Sequence, residues 1–167
     1  MNPKTSKQVR ILAVALTARG FGYCVMEDQV MLECGRKGAK GNKNAQAVSK
    51  IEKLMNQFLP DVLVLQDVDA AKYRRAPRIK ALHRQVVWMA EKHKCKATLF
   101  SGTQLRITLL GDAKGTKHGM AEMIARKFPH ELGKRLPPIR RAWDNEDGRM
   151  DIFDAVGLAL VFWASKN

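Results

Sequence analysis

The stretch VRILAVALTARGFGYCVMEDQVMLEC, Val9 to Cys34, decides the fold. Val9 to Leu16 alternates and then runs apolar, rich in β-branched residues, which is the mark of a buried strand. Thr17 to Gly20 is a turn containing a glycine. Phe21 to Glu27 resumes the strand pattern, and Gln29 to Cys34 extends it after a tight Glu27-Asp28 connection. Strands joined by links this short pair antiparallel, so the segment predicts a three-stranded meander.

Outward from the meander the pattern changes. Residues 35–44 (GRKGAKGNKN) mix glycine and lysine without periodicity and read as a flexible basic loop. Asn44 to Leu59 sets Val48, Ile51, Leu54, Met55 and Phe58 at helical spacing, and Pro60 stops it. Val62 to Val68 is a short buried strand, Ile79 to His93 a helix with a basic outer face, and Ala97 to Phe100 a last strand. Gly115 to Phe128 and the strongly apolar Met150 to Ala164 are helices, joined by a proline-rich, mixed-charge connection over residues 129–149. The order βββ-α-β-α-β-α-α predicts an α/β fold over residues 1–167 as a single domain: a five-stranded mixed sheet flanked by helices.

With 167 residues and 46% apolar content the chain can bury a core of its own. Its formal charge is +14, and the surplus is spread as +6, +5 and +3 over residues 1–50, 51–100 and 101–167. A basic surplus built into a folded domain points to nucleic acid, whose phosphates release counterions when neutralised. No apolar run approaches the ~20 residues of a membrane span, and Met1 to Arg10 is too polar for a secretory signal. Cys24, Cys34 and Cys95 lack metal spacing and read as reduced thiols, which predicts a cytoplasmic, nucleoid-associated protein, with phage, mobile-element or organellar origin left open.

Chemistry concentrates at two places. Asp151 and Asp154 lie three residues apart in the last helix, so both carboxylates project from one face and can share a divalent cation. Asp151 near the helix start also suits the dipole, whereas Asp154 sits inside the apolar run, where an ionised carboxylate is costly without a partner. Gln66 and Asp67 end the strand after Pro60, at the carboxyl edge of the sheet, where polar groups line sites or begin ordinary turns.

Three segments, ILAVALTARGFGYCV (Ile11 to Val25), PDVLVLQDV (Pro60 to Val68) and DIFDAVGLAL (Asp151 to Leu160), together resemble the RuvC-type Holliday-junction resolvases of the ribonuclease H-like superfamily. The resemblance spans nearly the whole chain and includes GDAKGTKHGMAEMIARKF (Gly111 to Phe128). It implies a metal-dependent endodeoxyribonuclease of recombination and repair that resolves four-way DNA as a two-fold dimer. It also implies four acidic residues holding two magnesium ions, with manganese as a substitute, about 3.5–4 Å apart. Transferred position by position, the last two acids fall on Asp151 and Asp154, the Glu falls on Gln66, and the first-strand Asp falls on Ala15.

The departure at Ala15 and Gln66 removes two of four carboxylates. Ala15 offers no ligand atom, Gln66 keeps a weak amide oxygen, and Asp67 points to the opposite side of the strand. Metal binding is then weak and hydrolysis nearly absent. Asp→Ala and Glu→Gln are the least disruptive ways to strip those acids, which favours a nuclease altered at positions 15 and 66. A naturally non-cleaving DNA-binding homologue is the alternative, as is a ribonuclease H-like nuclease for another nucleic acid.

The resemblance also implies DNA contacts. Tyr73, Arg74, Arg75 and Arg78 follow the Gln66 edge and face the branch point, with Tyr73 as a stacking side chain. Lys114, Lys117 and His118 take the place of phosphate contacts, and Lys117 is the group that would steady transition-state charge. Lys37, Lys40 and Lys43 belong to the basic loop that would wrap a second arm. Val86 to Ala90 or the first long helix supplies apolar residues for a dimer interface.

Overall fold

The meander forms where the pattern puts it. β1 (Arg10–Thr17), β2 (Gly20–Glu27) and β3 (Val30–Gly38) pair antiparallel in chain order. The structure is a computed structural model that describes residues 7–68 and 76–166. Asp28 and Gln29 turn β2 into β3 at φ of 46° and 73°, the left-handed pair that suits a two-residue hairpin. α1 (Lys43–Phe58) then leads to β4 (Val62–Gln66), and α2 (Pro77–Lys92) to β5 (Lys96–Phe100). Both crossovers deliver parallel strands, so the sheet runs β3-β2-β1-β4-β5. α3 (Gly102–Leu110), α4 (Lys117–Lys127), the short α5 (Pro129–Leu132), a 3-10 turn (Gly133–Arg135) and α6 (Met150–Ser165) complete the described chain.

Strand alternation divides the core between the two faces. Leu12, Val14, Phe21, Val25, Leu63 and Leu65 pack under Ile51, Leu54 and Met55 of α1 and Leu82, Val86 and Met89 of α2. Ile11, Ala13, Ala15, Cys24, Met26 and Val64 pack under Phe153 and Val156 of α6, Met120 and Ile124 of α4 and Leu105 of α3. α6 is apolar nearly all round because it lies against β1 and β2 and is covered again by α3 and α4. This is the five-stranded mixed sheet flanked by helices that the element order predicts.

One expectation is corrected. The loop read over residues 35–44 is much shorter, because β3 runs to Gly38 and α1 begins at Lys43. Gly35 interrupts the apolar pattern for a packing reason: a side-chain carbon there would crowd the Tyr23 ring at 3.1–3.3 Å. The stretch after Phe100, to which the sequence pattern assigns no element, forms a helix. A capping box between Ser101 and Gln104 starts α3, and Gly111 at φ 70° ends it. Of the apolar residues offered for a dimer interface, Ile51, Leu54, Val86, Met89 and Ala90 are buried inside the chain, whereas Trp88 is 60% exposed.

Candidate functional site

The amino end of α6 meets the sheet at small residues of β1 and β2. Gly22 pairs with Ala15 in register, and a side-chain carbon on Gly22 would overlap the Asp151 carbonyl. Glycine at this position therefore lets the helix come down onto the strands, and Asp151 is left only 1% exposed. Thr17, at the end of β1, donates its hydroxyl to Asp151 Oδ2 at 3.2 Å. One turn on, Asp154 emerges half-buried on the same face.

A third carboxylate joins them. Glu146, in the connection before α6, brings an oxygen into a set with Asp151 and Asp154 whose atoms all lie within 4.8 Å of one another. Asp147 accepts the backbone N–H of Arg149 at 2.9 Å and its guanidinium at 2.7 and 3.0 Å, which fixes the entry to α6. Those bonds hold the Asp147 carboxyl down at about 2.

Cations already touch each of the three acids. Lys117, the first residue of α4, donates to Glu146 Oε1 at 2.8 Å and lies 3.2 Å from Asp154 Oδ2. The Arg36 guanidinium of β3 reaches within 3.8 Å of Asp151 Oδ2. It passes over Gly148, where a side chain would collide with it. Arg19, in the β1–β2 turn, donates to the Glu146 carbonyl at 3.2 Å. Burial pushes the carboxyls of Asp151 and Asp154 up, partly offset by Arg36 at the first and Lys117 at the second. Burial works against the Lys117 ammonium, yet Asp154 and Glu146 outweigh it and raise its pKa. Asp151 Oδ1 remains buried without a hydrogen-bond partner. The cluster opens onto a cleft of about 600 Å³ walled by Lys117, His118, Glu122, Pro138, Glu146 and Met150.

The positions transferred from the resemblance fall as follows. Ala15 is 8% exposed and sits on the α6 face of β1. Gln66 ends β4, with its amide nitrogen near Gly102 at the start of α3. Among the cations named for DNA, Lys117 is engaged by acids, and His118 lies 3.0 Å from Glu122. Arg78 donates to Asn44 Oδ1 and the Ala18 carbonyl, and Lys43 reaches that same carbonyl. Lys37 stands 5.7 Å over the Tyr23 ring, while Lys40 and Lys114 are exposed. Tyr73, Arg74 and Arg75 lie outside the described residues. Sequence reasoning missed Glu146, Arg36, Thr17 and Arg19 as members of this site; they come from three separate stretches and share no spacing that would announce them.

A pair of magnesium ions does not fit these residues. Ala15 has no donor, Gln66 is neutral, and the carboxylates that remain already hold ammonium, guanidinium and hydroxyl groups. Asp151 Oδ1 is buried with no hydrogen-bond partner, and a hard divalent cation wants about six oxygens with carboxylate charge among them.

Comparison of the fold with solved structures gives a consistent set. Over 95% of the chain it matches Thermus thermophilus RuvC, alone and in complex with a Holliday junction substrate, at a TM-score of 0.67 and 12% identity, covering 96% and 95% of those chains. It matches the Fowlpox virus resolvase in complex with Holliday junction DNA at 0.64 and 13% identity, again over 95% of this chain and 99% of that one. The yeast mitochondrial Holliday junction resolvase follows at 0.61 and 12% identity, over 95% and 80%. No family model and no curated protein matches the sequence. The chain therefore has the RuvC-type, ribonuclease H-like fold.

Proposed function

We propose that this chain is a single-domain, RuvC-type scaffold that binds four-way DNA junctions and, with alanine at 15 and glutamine at 66, does not cut them. The observation that carries the reading is the fold match over 95% of the chain to resolvases, two of them holding Holliday junctions. Net charge supports it: +14 on a domain of 167 residues supplies the phosphate neutralisation that DNA binding needs. The intact form is a metal-dependent endodeoxyribonuclease that would hold its ions between positions 15, 66, 151 and 154. In the present chain those positions contribute two carboxylates. DNA is held by exposed basic side chains, Lys40 and Lys114 among them, together with Arg74 and Arg75, which the sequence resemblance assigns to it. A four-way junction has two-fold symmetry, so the reading includes a homodimer with one site per opposed strand.

The test is a gel-shift and cleavage assay on a four-way junction and a linear duplex of equal length. The chain binds the junction in preference to the duplex and leaves both uncut in magnesium. Ala15→Asp combined with Gln66→Glu gives cleavage in magnesium and none in EDTA. Equal affinity for junction and duplex would replace the reading with a general DNA-binding protein. Junction binding without cleavage by the double variant would identify a scaffold that is natively non-cleaving.

A further inference from the structure

We infer that the Glu146–Asp151–Asp154 cluster is tied up by the chain's own Lys117 and Arg36, with Arg19 close by, and holds no divalent ion, so that the position of a metal site is occupied by an internal salt-bridge network. The inference rests on the preceding reading only in taking this cluster as the metal position of the scaffold.

The charges meet at contact distance. Lys117 bridges two acids from different elements, Glu146 at 2.8 Å and Asp154 at 3.2 Å. An ammonium placed there occupies carboxylate oxygens that a metal would need. It adds repulsion that a divalent ion must overcome. Arg36 and the Thr17 hydroxyl use Asp151 Oδ2 in the same way. The network is built rather than incidental. Gly148 leaves room for the Arg36 guanidinium, Arg19 anchors the Glu146 carbonyl, and Thr116 caps α4 so that Lys117 starts the helix beside Asp154. Three carboxylates face Lys117 and Arg36 in direct contact with Arg19 close by, which leaves almost no negative charge to attract an ion. Acids at 15 and 66 would add two negative charges to this set.

The experiment is a manganese titration of the full chain, followed by the electron paramagnetic resonance signal of free Mn2+, with junction affinity measured in parallel. The present chain leaves the free Mn2+ signal unchanged, and its Tm is the same in magnesium and in EDTA. Lys117→Met, which keeps the length of the side chain and removes its charge, binds one Mn2+ per chain with at least about tenfold higher affinity. Asp154→Asn added to Lys117→Met abolishes that binding. One Mn2+ bound per unmodified chain and lost in Asp154→Asn would overturn the inference, as would a folded Lys117→Met that gains none. The unmodified chain needs no variant, so a Lys117→Met that fails to fold leaves the titration decisive. Junction affinity keeps the two readings apart: its absence removes the functional proposal, whereas the manganese result bears on the network alone.

Discussion

At the residue scale, Gly22 does more to place the site than any charged side chain. It has no special backbone angle to satisfy; what it supplies is space, because the Asp151 carbonyl lies where a β-carbon would be. Ala15 pairs with it and faces the same α6 side of the sheet. Gly22→Ala therefore forces backbone apart rather than a flexible side chain aside. A cost of at least about 3 kcal/mol follows, a fall in Tm of roughly 6–12 °C for a domain of this size. Scanning fluorimetry checks it, and an unchanged Tm would mean that α6 does not sit this close to β2. The glycine was visible in the sequence, but its purpose was not. Its neighbour comes from a segment 129 residues downstream.

The scale of elements separates what the chain announces from what tertiary contacts decide. β1, β2, α1, β4, α2 and α6 follow from alternation, helical spacing and Pro60 because each buries a continuous face. α3 was illegible because GTQLRITLL buries only Leu105 completely and has no clean stripe. A cap and the neighbouring α4 and α6 make it helical. The end of β3 was illegible because an edge strand carrying basic side chains has the composition of a loop. The connection between the 3-10 turn and α6 read as a mere linker, yet it brings Glu146 to the acids. It also exposes Ile139 at 74% and Trp143 at 78%, with the Arg141 guanidinium 5.8 Å from the Trp143 ring. An exposed indole beside arginine suits stacking on an unpaired base next to phosphate. Trp143→Ala should weaken junction binding about five- to a hundredfold, the value of one base–aromatic stack. Its effect on linear duplex should be much smaller. Equal losses on the two DNAs would place Trp143 outside the branch-point contact.

For the whole molecule under the proposed function, affinity and selectivity come from different properties. The charge of +14 is distributed through the fold rather than carried by a tail, so every DNA shape meets some of it. Selectivity for a branched shape needs basic groups at fixed separations, which a sheet braced on both faces provides. Part of the positive charge is unavailable for this. Lys117 and Arg36 are engaged by the acid cluster, and Arg78 and Lys43 tie the Ala18 carbonyl. The remaining exposed cations still allow several phosphate contacts. About five such contacts give a slope near −4.5 for log affinity against log salt. Raising salt fourfold should then weaken binding to either DNA by at least about 100-fold. The ratio of junction to duplex affinity changes far less, because both complexes release counterions while only one fits the spacing. Filter binding across a salt series measures both quantities. A ratio that collapses toward unity as salt rises would trace the preference to the junction's denser charge rather than to its shape, and the fold would then contribute a charged surface and no geometry.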